Sequence, residues 1–160
     1  MSNAKLRATL VGGKGFIGSH LQHALLEVNW DVFVAEKNDT RLFSEDLGYV
    51  FYCAGLTADF RQRPFDTVDA HVHYLSRILQ SSAFKTLIYL SSTRVYSGAL
   101  STEENSALSV TSSKPDDLYN LSKLMGESLC LQSGRDVRVI RLSNVYGNEM
   151  SEHNFLSQII

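Results

Sequence analysis

The chain has 160 residues, of which 44% are hydrophobic and 20% charged, and its formal net charge is −2 at pH 7. This length fits one domain that buries about 68–70% of the surface of its unfolded chain. The slightly acidic balance argues against a nucleic-acid or anionic-membrane partner. No apolar run approaches the ~18 residues of a membrane span, and the first residues show no signal-peptide pattern. We therefore expect a cytoplasmic protein.

The cysteine content gives no indication of a metal site. Cys53 and Cys130 lie in apolar segments and lack metal-ligand spacing. Thiols in such surroundings are typical of buried cysteines in a reducing compartment.

Apolar runs of strand length alternate with segments of helical period. In chain order, the pattern predicts a strand over 6–11, a helix over 19–27, strands over 31–36 and 49–54, a helix over 67–82, a strand over 86–90, a helix over 119–131 and a strand over 137–142. Strands rich in Val, Ile and Leu that alternate with helices are typical of a parallel sheet covered on both faces. Right-handed crossovers then predict a doubly wound, Rossmann-like α/β fold.

Three glycines, Gly12, Gly15 and Gly18, stand between the first strand and the first helix. Glycines at this spacing permit a tight turn, a close approach of the backbone to a pyrophosphate and close packing of helix on strand. The N–H groups and the positive end of the helix would face the anion. The motif predicts a dinucleotide site that includes Phe16 and Ile17, although a chance tight turn is the alternative.

The end of the second strand bears on the choice of dinucleotide. Glu36 is placed to accept hydrogen bonds from a ribose 2′-hydroxyl and to repel a 2′-phosphate. Lys37 and Arg41 follow, and they could instead attract that phosphate. We favour NAD as the cofactor, with NADP as the alternative. Asp46 is a further candidate, for the adenine amino group.

Two regions are shorter than a complete fold of this class requires. Residues 37–48, between the second and third strands, are too few for a full βαβ unit, so one strand–helix pair should be reduced to a loop. Residues 151–160 begin a helical pattern and stop. We expect residues 1–160 to form one NAD(P)-binding domain, with 151–160 as the start of a truncated C-terminal substrate region.

A tyrosine and a lysine form a candidate catalytic pair. Tyr119 and Lys123 are four positions apart in a predicted helix, so they lie on one face. A phenol pKa near 10 is too high for a general base at neutral pH, but a nearby ammonium and an oxidised nicotinamide would lower that pKa. The alternative is an ordinary surface lysine beside a partly buried tyrosine.

A serine is the third candidate catalytic residue. Ser92 follows the strand at 86–90, at the edge of the sheet where ligands bind in such folds. Its hydroxyl would hydrogen-bond a substrate oxygen while the tyrosine moves a proton. A polar strand-to-loop transition is the alternative.

Together these segments resemble the extended short-chain dehydrogenase/reductase family, the group of nucleotide-sugar epimerases and dehydratases. The resemblance covers residues 6–147. The matching motifs are Gly12-x-x-Gly15-x-x-Gly18, Tyr52-Cys53-Ala54-Gly55, Ser92-Thr93-Arg94-Val95-Tyr96, Tyr119-x-x-x-Lys123 and Arg141-Leu142-Ser143-Asn144-Val145-Tyr146-Gly147.

The resemblance implies roles for individual residues. The catalytic residues would be Ser92, Tyr119 and Lys123. The substrate would be bound by Ser92, Thr93 and Asn144, with Asn144 beside its diphosphate. The cofactor groove would add Ala54, Gly55, Tyr119 and Lys123 to the glycine motif and Glu36.

The family also implies an activity. A nucleotide-sugar hydroxyl would be oxidised transiently by hydride transfer to tightly held NAD, with Tyr119 as acid/base, in a homodimer formed by the helices at 67–82 and 119–131. Reduction of a keto-sugar is the nearest alternative, and a non-catalytic dinucleotide-binding or redox-sensing module is another. Thr93-Arg94 lacks the acidic pair of the 4,6-dehydratases, which counts against dehydration.

Another position also departs from the family pattern. His71 stands where the family carries an active-site asparagine. We expect His71 and His73 to face solvent or a helix partner rather than to act as bases.

Overall fold

The protein forms a parallel sheet of five strands in the part of the chain that the computed structural model describes, residues 5–57 and 59–147. The predicted C-terminal region at 151–160 lies outside the described residues. The strands are β1 (Arg7–Val11), β2 (Asp31–Ala35), β3 (Tyr49–Tyr52), β4 (Thr86–Ser92) and β5 (Val137–Leu142). Their order across the sheet is β2-β1-β3-β4-β5.

Helices cover both faces of this sheet. They are α1 (Phe16–Glu27), α2 (Pro64–Val68), α3 (Tyr74–Ser81) and α4 (Asp117–Gln132). Helix α1 packs on β1 and β2, whereas α4 packs on β4, β5 and α3. Because the sheet grows in opposite directions from β1, right-handed connections place α1 on one face and α3 and α4 on the other. The predicted doubly wound α/β fold is confirmed.

Successive residues of β1 belong to two separate cores, as strand alternation requires. Leu10 packs with Leu25 of α1 on one face. Val11 belongs to the larger core on the other face, which includes Tyr52, Leu75 and Tyr89.

The shortened unit lies between β2 and β3. There the chain makes a single 3-10 turn, Thr40–Phe43, whose Leu42 is fully buried. Asp39 caps this turn by accepting a hydrogen bond from the backbone N–H of Arg41. The prediction of a strand–helix pair reduced to a loop is confirmed.

Most predicted elements differ at one or both ends; α1 begins at Phe16 rather than at 19, and β3 ends at Tyr52 rather than at 54. The helix predicted over 67–82 begins at Pro64, because proline is favoured in the first turn of a helix, and it contains a π-helical turn, Asp69–His73, between α2 and α3. The strand predicted over 86–90 continues through Ser92, because β5 still pairs with it there, opposite Leu142.

Candidate functional site

The glycine turn brings the end of β1 against the end of β3. Gly12 has φ +81°, and a Cβ atom built on it would lie 2.6 Å from the backbone nitrogen of Ala54. A Cβ atom on Gly18 would lie 2.5 Å from the carbonyl oxygen of Gly12. Neither position therefore has room for a side chain. Gly15 is the N-cap of α1 and offers no side-chain cap, so the helix begins with its N–H groups uncapped by a side chain.

A cavity of about 340 Å³ opens beside this turn at the carboxyl edge of the sheet. It extends from the glycine turn past the end of β2 to the π-helical turn. Its lining includes Gly12, Gly13, Lys14, Glu36, Lys37, Ala54, Leu56, Asp69 and Tyr74. Phe16 and Ile17 are half-buried in the first turn of α1.

Two ion pairs lie at or near the cavity. The Glu36 carboxylate lies 2.6 Å from Lys14 Nζ, and both side chains are exposed. The Arg41 guanidinium binds the Asp39 carboxylate at 2.7 Å and stacks over the Phe33 ring at 4.2 Å. The cavity therefore presents a carboxylate together with its neutralising ammonium, while Arg41 is held by its own partners.

Asp46 lies at the opposite edge of the sheet. Its carboxylate accepts a hydrogen bond from the backbone N–H of Gly48, just before β3. A Cβ atom on Gly48 would contact Arg7, at the start of β1. The proposal that Asp46 contacts the adenine is therefore wrong, because the shortened connection places it at the amino ends of the strands.

Tyr119 is buried in α4, only 2% exposed. Its ring packs against the rings of Phe60 and His71, each at a centroid distance of 5.3 Å, and the Arg94 guanidinium lies 4.7 Å from its centre. Burial raises the pKa of the Tyr119 phenol, whereas its hydrogen bond with Ser92 and the charge of Arg94 lower that pKa. The structure thus brings Tyr119 and Ser92 together.

Ser92 is the last residue of β4. Its hydroxyl oxygen accepts a hydrogen bond from the backbone N–H of Arg94, which caps the 3-10 turn Thr93–Tyr96. Strand end and turn together fix the serine beside α4 and leave Thr93 exposed at the rim.

Lys123 is buried one turn after Tyr119, with 5% of its surface exposed. Its Nζ donates to the carbonyl oxygen of Leu90 at 2.8 Å and lies 5.1 Å from the centre of the Tyr89 ring. A Cβ atom on Gly55 would lie 3.5 Å from the same Nζ, so the ammonium faces the loop after β3. Burial lowers the pKa of Lys123 to about 8.

His71 contacts a helix partner, as expected, while His73 lies exposed and binds Asp69. The sequence did not reveal that His71 is fully buried and also bridges two elements of the site. Its Nδ1 is 2.8 Å from Ser122 Oγ in α4, and its Nε2 accepts a hydrogen bond from the backbone N–H of Leu56.

A buried ion pair anchors α4 to the sheet. The Glu127 carboxylate binds the Arg141 guanidinium at 2.7 Å and accepts a hydrogen bond from Ser91 Oγ at 2.5 Å. Arg141 also donates to the Tyr96 hydroxyl at 2.6 Å. Little in the sequence indicates this role for Glu127, because a glutamate one turn after a lysine usually indicates an exposed helix pair.

The segment after β5 returns along the carboxyl edge of the sheet. Asn144 is exposed in it. A Cβ atom on Gly147 would lie 3.5 Å from Phe16 Cζ, so the segment reaches the start of α1. The sequence motif that ends at Gly147 thus borders the same edge as the glycine turn.

Within residues 5–57 and 59–147, no group of three His, Cys, Asp or Glu side chains is arranged to hold a metal ion. Among those same residues, no helix is long and apolar enough to cross a membrane.

Comparisons with known proteins place these features in a wider context. The sequence model described as the NAD dependent epimerase/dehydratase family matches residues 8–160. No curated protein sequence matches the chain.

Solved structures share the fold. RMD from Pseudomonas aeruginosa, complexed with NADPH, is 26% identical with a TM-score of 0.75, over 95% of this chain and 59% of that one. A UDP-galactose 4-epimerase is 23% identical with a TM-score of 0.72, over 96% and 62%. MoeE5, in complex with UDP-glucuronic acid and NAD, is 22% identical with a TM-score of 0.70, over 95% and 59%. The chain thus spans about three fifths of the length of these proteins.

Proposed function

The chain belongs to the NAD dependent epimerase/dehydratase family. On that premise we propose that it binds NAD(P) and acts as a nucleotide-sugar oxidoreductase of the epimerase type. The observation that carries the proposal is the placement of Tyr119, Ser92 and Lys123 at the carboxyl edge of the sheet that also bears the glycine turn. Ligands of open α/β sheets bind at this edge.

The glycine turn fits a dinucleotide. At Gly12 and Gly18 the backbone approaches so closely that any side chain would collide with it. The adjoining start of α1 has N–H groups that no side chain caps, and such groups bind pyrophosphate oxygens. The nicotinamide of a bound cofactor supplies hydride acceptance and donation.

Three side chains would handle the substrate oxygen. Tyr119 Oη would take the proton of a sugar hydroxyl and later return a proton to the carbonyl oxygen. Ser92 would hold that oxygen, since its hydroxyl already interacts with the phenol. Lys123, buried beside the loop of Gly55, would favour the phenolate when it carries its charge.

The remaining predicted contacts are part of the same proposal. Ala54 and Gly55 would line the cofactor groove, Thr93 would contact the sugar, and Asn144 would lie beside the diphosphate. Thr93 and Asn144 are exposed at the carboxyl edge, where a substrate would reach them.

We propose NAD as the preferred cofactor, with NADP accepted less well. Glu36 lies on the cavity and would repel a 2′-phosphate, but Lys14 at 2.6 Å offsets part of its charge. Both kinds of cofactor occur among the similar structures, NADPH with RMD and NAD with MoeE5.

Two observations favour alternatives. The similar structures include a dTDP-4-dehydrorhamnose reductase as well as an epimerase. Reduction of a keto-sugar would use the same residues without the return step. Dinucleotide binding without catalysis is the second candidate function, because it needs only the glycine turn and the uncapped start of α1.

A homodimer is the proposed assembly. Apolar side chains are exposed on the two helical segments that the family resemblance implicates, Phe65 and Val68 on α2 and Met125 and Leu131 on α4. Light scattering at increasing protein concentration measures the mass directly, and replacement of Met125 by Glu should shift it toward the monomer.

The decisive experiment separates binding from chemistry. Tyr119→Phe removes only the phenolic oxygen, so it should lower turnover of UDP- and dTDP-linked hexoses by at least about 100-fold, within the range attributed to general acid–base catalysis. The same variant should leave the NAD dissociation constant within about twofold. Tyr49→Phe, at the amino end of β3, is the matched control and should change neither quantity. Retained turnover in Tyr119→Phe contradicts the acid/base role.

Cofactor binding is tested independently by thermal denaturation. Cofactor at 100 times its dissociation constant should stabilise the chain by about 2.7 kcal/mol, which corresponds to roughly 5–11 °C for a protein of this size. A shift with NAD that exceeds the shift with NADP supports Glu36 as the selective residue. No shift with either cofactor, in protein shown to carry none already, refutes the proposed site.

A further inference from the structure

We propose that His71 is a positioning residue of this site, whose imidazole sets the distance between the cofactor-side loop at residues 53–57 and the face of α4 that carries Tyr119 and Lys123. The inference rests on the proposed function, because the loop matters to catalysis only if it lines the cofactor groove.

The hydrogen bonds around the imidazole specify one protonation state. Nε2 accepts from the backbone N–H of Leu56 at 3.2 Å, so it carries no proton. Nδ1 therefore carries the proton and donates it to Ser122 Oγ at 2.8 Å. The Ser122 hydroxyl in turn donates to the carbonyl oxygen of Tyr119 at 2.8 Å. Every donor in this chain meets one acceptor, and the chain joins the loop to the turn of α4 that holds Tyr119.

Burial and charge keep this imidazole neutral. His71 is 0% exposed, and burial and the neighbouring Lys123 ammonium lower its pKa to about 3. The other titratable groups against it are the Tyr119 phenol ring from α4 and the Tyr89 hydroxyl from β4, which donates to the His71 carbonyl oxygen at 3.4 Å. A proton on Nε2 would also displace the hydrogen bond from Leu56.

The backbone holds the imidazole between its two neighbours. His71 lies in the π-helical turn Asp69–His73, a local widening of the helix that is frequent at functional sites. A Cβ atom on Gly55 would lie 2.9 Å from Nε2, and one on Gly126 would lie 2.9 Å from the His71 carbonyl oxygen. Both glycines thus let backbone approach His71 directly, so a shift of this residue would move the loop or the helix.

Such a link has a functional consequence because hydride and proton transfer depend on geometry. A misplacement of about 1 Å can cost on the order of 100-fold in rate. Nε2 binds the loop that carries Ala54 and Gly55, and Nδ1 binds the helix that carries Tyr119 and Lys123. His71 would therefore fix the cofactor relative to the phenol without touching the reacting atoms.

Two substitutions at His71 each remove one of its two hydrogen bonds, either the one from Leu56 in the loop or the one to Ser122 in α4. In His71→Asn, the amide nitrogen can replace Nδ1 and keep the bond to Ser122, but the bond from Leu56 is lost. In His71→Gln, the amide oxygen can replace Nε2 and keep the bond from Leu56, but the bond to Ser122 is lost. Ser122→Ala removes the bond between His71 and α4 by removing the hydroxyl that accepts it. His73→Asn, on the exposed side of the same turn, is the matched control.

The readouts are the NADH dissociation constant from fluorescence titration, kcat for UDP- and dTDP-linked hexoses, and amide hydrogen exchange of residues 53–57. His71→Asn should weaken NADH binding roughly 5- to 10-fold, as expected for one lost hydrogen bond, and should speed exchange in the loop. His71→Gln and Ser122→Ala should keep the NADH dissociation constant within about twofold and lower kcat at least about 10-fold. His73→Asn should match the wild type.

A purely structural role for His71 predicts a different result. The variants would then lower the melting temperature, as Ile78→Val in the core should, with unchanged dissociation constant, kcat and loop exchange. That outcome overturns the inference, as does an equal loss in His71→Asn and His71→Gln. If the wild-type chain itself binds no NAD(P)H, the proposed function fails as well, so the two failures are distinguishable. Should both His71 variants fail to fold, Ser122→Ala alone tests the hydrogen bond between His71 and α4.

Discussion

Replacement of Lys123 by Met should make the protein more stable at neutral pH and inactive. Lys123 is 5% exposed and burial lowers its pKa to about 8, compared with 10.5 for an ordinary lysine. Each unit of this difference corresponds to about 1.4 kcal/mol, so the charged lysine destabilises the folded state by about 3 kcal/mol at pH 7. Methionine has a similar length but leaves the Leu90 carbonyl oxygen without its donor, which costs about 1 kcal/mol.

The expected net gain is therefore about 2 kcal/mol, or roughly 4–8 °C in melting temperature. The pH dependence identifies the cause. The unfolded chain holds the Lys123 proton more tightly than the folded one, so the stability of the wild type should rise relative to the variant between about pH 8 and pH 10.5. The advantage of Lys123→Met should shrink over that interval and disappear near its upper end.

Thermal denaturation by circular dichroism at pH 7, 8.5 and 10 measures this difference, with the exposed Lys114→Met as control. Lys114→Met should give a melting temperature that follows the wild type at every pH. A lower melting temperature for Lys123→Met at pH 7, or a difference that does not change with pH, would refute the reasoning. A gain in stability together with lost turnover is what a lysine kept for function at the expense of stability should show.

Two further predictions concern the surroundings of Tyr119. Glu127→Ala leaves the Arg141 guanidinium largely buried without its carboxylate, so it should destabilise the fold by about 3–5 kcal/mol, or roughly 6–20 °C in thermal denaturation; a melting temperature within a degree of the wild type contradicts this. Arg94→Gln removes a charge that lowers the pKa of the Tyr119 phenol, so that pKa should rise. Titration of a fluorinated tyrosine at position 119 measures the rise, which should diminish at high salt because Arg94 is exposed; an unchanged or lower pKa is the opposing result.

The fold class was predictable because its signals are local. The glycine turn requires a positive φ at Gly12 and close approach at Gly18, and only glycine satisfies both requirements at these positions. The four-residue spacing of Tyr119 and Lys123 sets them on one helix face whatever the rest of the chain does. The missing strand–helix pair followed from chain length alone, since residues 37–48 cannot form one.

The tertiary structure decided what local patterns cannot encode. The sequence determined a glycine turn, a parallel α/β sheet and a tyrosine–lysine face. It did not show Asp46 at the amino edge, which depends on how the shortened connection enters β3. It did not show that Glu127 is buried in an ion pair with Arg141, or that His71 forms hydrogen bonds with both Leu56 and Ser122. The His71–Ser122 bond spans 51 positions, and only packing of distant segments around a common core brings such residues together.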